Sequence, residues 1–361
     1  MPDPEIARRR MLNQMLTGPT IPSPVEVVRR LGAVQSQDYY GAKWAVGQRA
    51  GVTDAAVEQA LSDGQILRLH VLRPTWHFVA ADDVRWMIDL TGQRVIRGIA
   101  ARHRELKLDD ALFEQSMGVF RQALGGGKHC TRAELESALN QAGIATDIPQ
   151  RFVHIIMQAE LQGLLCSGVW QGKQNTYALV DERCPGAVTL EREAALAELA
   201  RRFFTSHGPA TIKDYVWWSG LTVADTRAGI DLCGDALVRE EIDGKEYWSP
   251  AVPPVIENTA PASPIVHLLP NYDEYVVAFV DRSAIFDEAH ADKLHMRGGV
   301  LNHVIVVDGI VAGGWRREIK KDAVRVFVEP IQALSPYEQQ ALESAVQQYG
   351  EFLGLRAEIV L

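Results

Sequence analysis

Within Leu31–Arg49, LGAVQSQDYYGAKWAVGQR, two glutamines stand two residues apart, Gln35 and Gln37, in a stretch that mixes amides with aromatic rings. On a helix about 200° separates such a pair, whereas in an extended segment both side chains share a face. Joint action therefore requires the preceding helix to stop near Val34. Two carboxamides on one face hold a water by its lone pair and its proton together, yet neither is a strong base. The chemistry they suit is attack by an oriented water on a bond that is already activated. The pair also reads as a polar helix cap touching backbone, and the residues alone leave both readings open.

A second polar set lies in LRPTWHFVAADDVRW. Thr75 and His77 alternate with Trp76 and Phe78, so a strand there has one polar and one apolar face. Arg68 and His70, on the partner strand, are expected to join the polar face. One reading is a hairpin against a sugar–phosphate backbone, with His77 near a scissile sugar; the other is a half-solvated sheet. Arg94, Arg97 and Arg104 recur at helical spacing as a phosphate-facing stripe or a solvated face. One reaction meets the limit set by the glutamines. An N7-alkylated guanine is cationic, its glycosidic bond breaks through an oxocarbenium-like transition state, and a well-placed water needs little help from a base.

The elements that must carry these residues repeat. Three times a helix, a second capped helix, a third helix and a β-hairpin follow one another, which is the winged-helix plan. In residues 1–107 an apolar stripe through Ile6, Leu12, Met15 and Leu16 ends at Gly18-Pro19, Pro24 opens a second helix, and Thr53 or Asp54 caps a third. The strands Ile66–Val71 and Thr75–Ala80 follow, and a helix from Asp82 to about Leu106 leads away. In residues 108–185 a helix through Phe113 and Phe120 stops at Gly125, Thr131 and Glu134 form a capping box, Pro149 opens the third helix, and Leu164–Val169 pairs with Thr176–Val180. In residues 186–252 the helix Leu190–Thr205 precedes caps at Thr211 and Thr222, and Asp243-Gly244 turns the hairpin. Pro253, Pro254, Pro261 and Pro264 mark a linker. Residues 262–361 turn to strands, Tyr275–Val280 among them, with one helix over Pro336–Leu353. The expected fold is α+β: three tandem winged helices and a small, β-rich, barrel-like C-terminal domain.

Composition narrows the partners. The chain has 361 residues, 47% of them hydrophobic and 23% charged, an ordinary globular balance. No apolar run reaches membrane-span length and no secretory leader is visible, so the expectation is a cytoplasmic protein without a membrane partner. Four scattered cysteines without a CxxC pair fit reduced thiols. A net charge of −9 opposes nucleic-acid binding, but residues 1–107 hold 15 Lys and Arg against 11 Asp and Glu. Phosphate-loop, dinucleotide, HExxH and GxSxG motifs are absent from the sequence, so neither metal nor cofactor is expected. Asp273 and Glu274 in LPNYDEY read as a carboxylate site or as half of a structural Asp–Arg pair, and Trp76, Trp86, Trp217 and Trp218 read as core.

At LGAVQSQDYYGAKWAVGQR, LRPTWHFVAADDVRW and HLLPNYDEYVVAFVDR the chain resembles the AlkZ-like family of winged-helix DNA glycosylases, over nearly its whole length. The resemblance implies three winged helices in a C-shaped scaffold with a C-terminal β-domain, and excision of N-alkylated bases, including interstrand crosslinks and bulky adducts at guanine N7. The family's Gln–hydrophobic–Gln motif falls on Gln35-Ser36-Gln37, with Ser36 departing from the apolar middle position. The expected activity is a monofunctional glycosylase without a lyase step. Gln35, Gln37 and His77 are expected to be catalytic, with Thr75, Arg68, Arg73, Lys43, Arg94, Arg97 and Arg104 on double-stranded DNA carrying alkylated bases. A monomer is expected. The rivals are a non-catalytic DNA-binding regulator or adduct sensor, and a scaffold that has lost DNA affinity.

Overall fold

The computed structural model describes residues 2–252, 263–290 and 303–360. Local signals set most element boundaries. Asp3 caps α1 (Pro4–Asn13) and Ser23 caps α2 (Pro24–Leu31), each with its side-chain oxygen on first-turn amides and a proline in that turn. Gly32, at φ +83, ends α2 and releases the chain into β1 (Val34–Gln35). Then follow α3 (Tyr39–Ala50), capped by Asp38, and α4 (Asp54–Ser62), capped by Thr53. The hairpin β2 (Ile66–Val71) and β3 (Arg73–Ala80) leads to the 22-residue α5 (Val84–Glu105). Here β1 pairs with β3, so the hairpin is the larger part of a three-stranded sheet of order β1-β3-β2.

The next stretch holds α6 (Asp110–Leu124), β4 (Cys130–Thr131), α7 (Arg132–Gln141), α8 (Arg151–Leu161), β5 (Leu165–Ser167), β6 (Thr176–Leu179) and the short α9 (Val180–Arg183). After it come α10 (Arg192–His207), α11 (Ile212–Ser219), α12 (Val223–Cys233) and the hairpin β7 (Leu237–Ile242) and β8 (Lys245–Pro250). The capping box at Thr131 forms as read, the caps at Thr211 and Thr222 are capping boxes too, and Asp243-Gly244 takes two positive φ values, +50 and +72, as a type I′ turn requires. The C-terminal elements are β9 (Val266–Leu269), α13 (Glu274–Val277), β10 (Val304–Val307), β11 (Ile310–Ile319), β12 (Ala323–Pro330), α14 (Pro336–Leu353) and β13 (Arg356–Val360).

Several expectations change. The run Tyr275–Val280, expected as a strand, is largely the single-turn helix α13, seeded by the Asp273 side chain on the Tyr275 amide. The C-terminal sheet, of order β13-β12-β11-β10-β9, is a curled half-barrel among the described residues, so the barrel-like expectation holds in part. Helix α3 was not foreseen. Pro253, Pro254 and Pro261 of the expected linker lie outside the described residues.

Packing ties the N-terminal elements to both flanks. Val28, Leu31, Val34, Trp44 and Phe78 share one core with Ile305, Trp315, Val324, Tyr349 and Phe352 of the C-terminal sheet and α14. Leu69, Val79 and Met87 share another with Phe203, Tyr215 and Trp218 of α10 and α11. Phe113, Phe120, Leu135 and Ile155 enclose a separate core among α6–α8. Burial of this kind, at about 25 cal/mol per Å² of apolar surface, makes the β1-β3-β2 sheet a fixed platform between its neighbours. Among the described residues no helix is long and apolar enough to cross a membrane.

Candidate active site

Because α2 stops at Leu31, Gln35 stands in extended backbone, the half of the paired-action requirement that concerns it. Its partner across the β1–β3 ladder is His77. Facing residues of an antiparallel pair project to the same side, so Gln35 and His77 are neighbours on one face. Gln35 is only 6% exposed, whereas Gln37, in the bend after β1, is exposed. The Gln35 Oε1 accepts from Arg73 Nη2 at 2.8 Å. A guanidinium only donates, so this contact fixes which end of the amide is oxygen and leaves the NH₂ end for the site.

Around these two side chains the backbone is held at every step. The Gln35 N–H donates to Glu274 Oε1 at 2.8 Å, the Ser36 N–H to the Trp76 carbonyl at 2.7 Å, and the Ser36 carbonyl accepts from Arg68 Nε and Nη2 at 3.2 and 3.0 Å. The Ser36 hydroxyl, fully buried, has no partner among the described residues.

His77 is fully buried, and its Nδ1 lies 2.9 Å from the Thr75 carbonyl. A carbonyl only accepts, so the proton sits on Nδ1 and Nε2 offers a lone pair. Burial, reinforced by the Arg73 charge, holds the imidazole pKa well below its usual 6.5, so the ring is neutral. Its Nε2, the Thr75 Oγ1 and the Arg73 Nε are all buried without a partner among the described residues. Each such group costs about 1–3 kcal/mol. All three lie on alternate residues of one strand, and so on one side of the sheet.

The structure brings Arg73, Thr75 and His77 together with Gln35, but it sends other candidates elsewhere. Arg68 pairs across the ladder with Phe78 and His70 with Trp76, which puts them on the opposite face from His77. That corrects the expectation of a joint polar face. Arg68 lies 4.5 Å over the Trp76 ring, and His70 Nδ1 bonds to Glu160 of α8, both groups buried. A cleft lined by Tyr39, Glu58, Arg68, Trp76, Glu160 and Trp170 opens on this side and contains none of Gln35, Gln37 or His77. Lys43 is 2% exposed, with its ammonium on Asp54 at 2.9 Å and Glu58 at 2.7 Å. It is spent on two carboxylates and cannot reach a phosphate. Arg73 is partly buried, with Nη2 on the Gln35 side-chain oxygen. Arg94, Arg97 and Arg104 are exposed on α5; Arg94 donates to the Gly220 carbonyl, and the other two have no polar partner among the described residues.

Comparison with known proteins fits this geometry into a lineage. A family model described as DNA glycosylase AlkZ-like matches residues 28–352. The chain belongs to the AlkZ-like DNA glycosylase family. It is 23% identical over 326 residues, 85% of each chain, to a Streptomyces sahachiroi protein named interstrand DNA cross-link repair glycosylase. The solved structure of Streptomyces sahachiroi DNA glycosylase AlkZ superposes with a TM-score of 0.76, at 22% identity and with full coverage of both chains. The fold of this AlkZ-like chain is thus the fold of that enzyme.

Two residues beside the Gln35–His77 face were not assigned to it from sequence. Glu274 was read only as a possible carboxylate site, yet it bonds the Gln35 backbone. Trp217 was read as core, yet it is 46% exposed, with Nε1 donating to the Val277 carbonyl at 2.9 Å and its ring centre 5.5 Å from the Arg73 guanidinium carbon. Neither contact is local in sequence, so no short-range pattern announces it. Asp273 pairs with Arg49 at 2.7 and 2.8 Å, both side chains buried, whereas the nearby Arg282, the arginine of the sequence reading, donates to the Val276 carbonyl instead. Among the described residues no cluster of three or more His, Cys, Asp or Glu is built to hold a metal.

Proposed function

We propose that the protein is a monofunctional DNA glycosylase that removes N7-alkylated purines, crosslinked or bulky adducts included, by water attack at the glycosidic carbon. The observation that carries this reading is the β1–β3 face itself, with a pinned Gln35 amide beside a neutral His77 whose Nε2 has no partner among the described residues. Gln35, whose oxygen belongs to Arg73, donates its NH₂ to the water oxygen. Gln37, unconstrained and exposed, accepts a water proton as a hydrogen bond. As the C1′–N9 bond breaks, its electron pair neutralises the cationic purine, and the water oxygen closes onto the oxocarbenium carbon. The resulting oxonium is a strong acid, so even the weak base His77 Nε2 takes its proton. Thr75 assists from the same strand. Supporting the absence of a lyase step, Lys43 is the only lysine before Lys107 and is committed to Asp54 and Glu58.

In this reading the three helix-and-hairpin units act as winged helices, residues 1–107, 108–185 and 186–252, with residues 262–361 as a β-domain. Arg94, Arg97 and Arg104 hold phosphates of double-stranded DNA, and the protein works as a cytoplasmic monomer. The name of the Streptomyces relative supports interstrand crosslinks as substrates. A gel assay on a duplex carrying N7-methylguanine tests the proposal. Wild type leaves alkali-labile abasic sites and Gln37→Ala does not; binding without base release would replace the enzyme by an adduct sensor.

A further inference from the structure

Gln35 is held at both ends by opposite charges. Glu274, fully buried, places Oε1 on the Gln35 N–H and Oε2 on the Trp218 Nε1–H, each at 2.8 Å, and Oε2 also lies 3.5 Å from His207 Nε2. Arg73 places Nη2 on the Gln35 side-chain oxygen. Burial lowers the Arg73 pKa, and Glu274 is the group that opposes this shift. The two charges therefore support each other across the residue they hold. Their sources are far apart in the chain: Arg73 opens β3, Trp218 lies on α11, and Glu274 starts α13.

We propose that Glu274 and Arg73 are positioning residues that fix the Gln35 amide as a hydrogen-bond donor to the attacking water. Glu274 anchors the backbone, so the Cα of Gln35 cannot drift along the strand. Arg73 anchors the oxygen, so the amide cannot flip. A guanidinium on the carbonyl oxygen also draws density from the amide nitrogen and sharpens its N–H groups as donors. Trp217 covers Arg73 from the solvent side. Without the clamp, Gln35 would sample both amide orientations, and in half of them it would present an acceptor where a donor is needed.

The proposal rests on the glycosylase reading, and its test separates the two. Glu274→Gln keeps the side-chain size while removing the charge, and Arg73→Ala removes the opposing anchor. Single-turnover release of N7-methylguanine should slow by about tenfold or more in each variant, the worth of one charged hydrogen bond. Affinity for a duplex carrying a tetrahydrofuran abasic site should stay within about twofold. The double variant should be no slower than the slower single one, because both act through one side chain. In ¹⁵N-labelled protein the Gln35 side-chain NH₂ resonance, identified by its loss in Gln35→Ala, should move in both variants. Wild-type rates with an unmoved resonance would overturn the clamp, as would rate losses that simply multiply. Should Glu274→Gln melt below the assay temperature, Arg73→Ala carries the test. A wild-type rate in Gln35→Ala would instead sink the glycosylase mechanism, and the resonance alone would then decide the clamp.

Discussion

Ser36 occupies the middle of the Gln-x-Gln segment. Its hydroxyl is buried without a partner among the described residues, while both its backbone groups are bonded. In the proposed mechanism the two flanking amides act and the backbone between them holds them, so the hydroxyl is only a cost. Ser36→Ala should raise stability by about 1 kcal/mol, read as a higher melting midpoint in urea with unchanged slope, at unchanged base-release rate. A loss of stability would reveal a partner for the hydroxyl. Sequence pointed to this segment because the Gln-x-Gln spacing is local, and it foresaw that the chain is extended at Gln35. It could not show that Arg73 faces Gln35 while Arg68 serves the Ser36 carbonyl from the opposite side. That division follows from which residues pair across the ladder, and strand register is set at long range.

At the scale of elements, the turn between α11 and α12 is where the site depends on tight packing. Gly220 ends α11 at φ +70, and a Cβ there would lie 2.4 Å from the Leu72 carbonyl in the turn between β2 and β3. Neither backbone can yield cheaply. Gly220→Ala should cost about 2 kcal/mol or more in denaturant unfolding and slow base release, since Trp217 and Arg73 flank that contact. A neutral effect on both would show that the turn does not brace the hairpin. The hairpins and capping boxes were legible because their signals span two to four residues. Helix α3 was not: all of Gly41–Ala50 is buried, so no polar stripe marks a helical period. The run after Asp273 misled in the opposite direction, since a short buried apolar segment rich in aromatic and β-branched residues reads as strand or helix alike.

Over the whole molecule, the N-terminal helices and sheet share cores with both the C-terminal sheet and the α10–α11 pair, so the site sits where separate stretches of chain converge. Charge follows the same logic. The chain is acidic overall, yet the exposed arginines of α5 belong to its basic first third, and binding should weaken steeply with salt if that helix meets DNA. Histidines give the fold a definite pH dependence. Burial pushes His267 and His303 down to about 4 and His77 well below 6.5. The unfolded chain protonates these rings near pH 6.5 and the folded chain does not, so stability is lost as pH falls from about 6.5 toward 4. The melting temperature should already drop between pH 7 and 5.5, above the range of ordinary carboxylates. A flat profile there would mean that the folded rings accept protons freely.

The central claim is that Gln35 and Gln37 together hold the attacking water. Its most direct test is the single-turnover rate of N7-methylguanine release by Gln35→Ala and Gln37→Ala, measured at saturating enzyme beside the affinity of each for abasic-site duplex. The account predicts a rate loss of about a hundredfold or more in each variant, with affinity nearly unchanged. A rate within about threefold of wild type in either variant would contradict it.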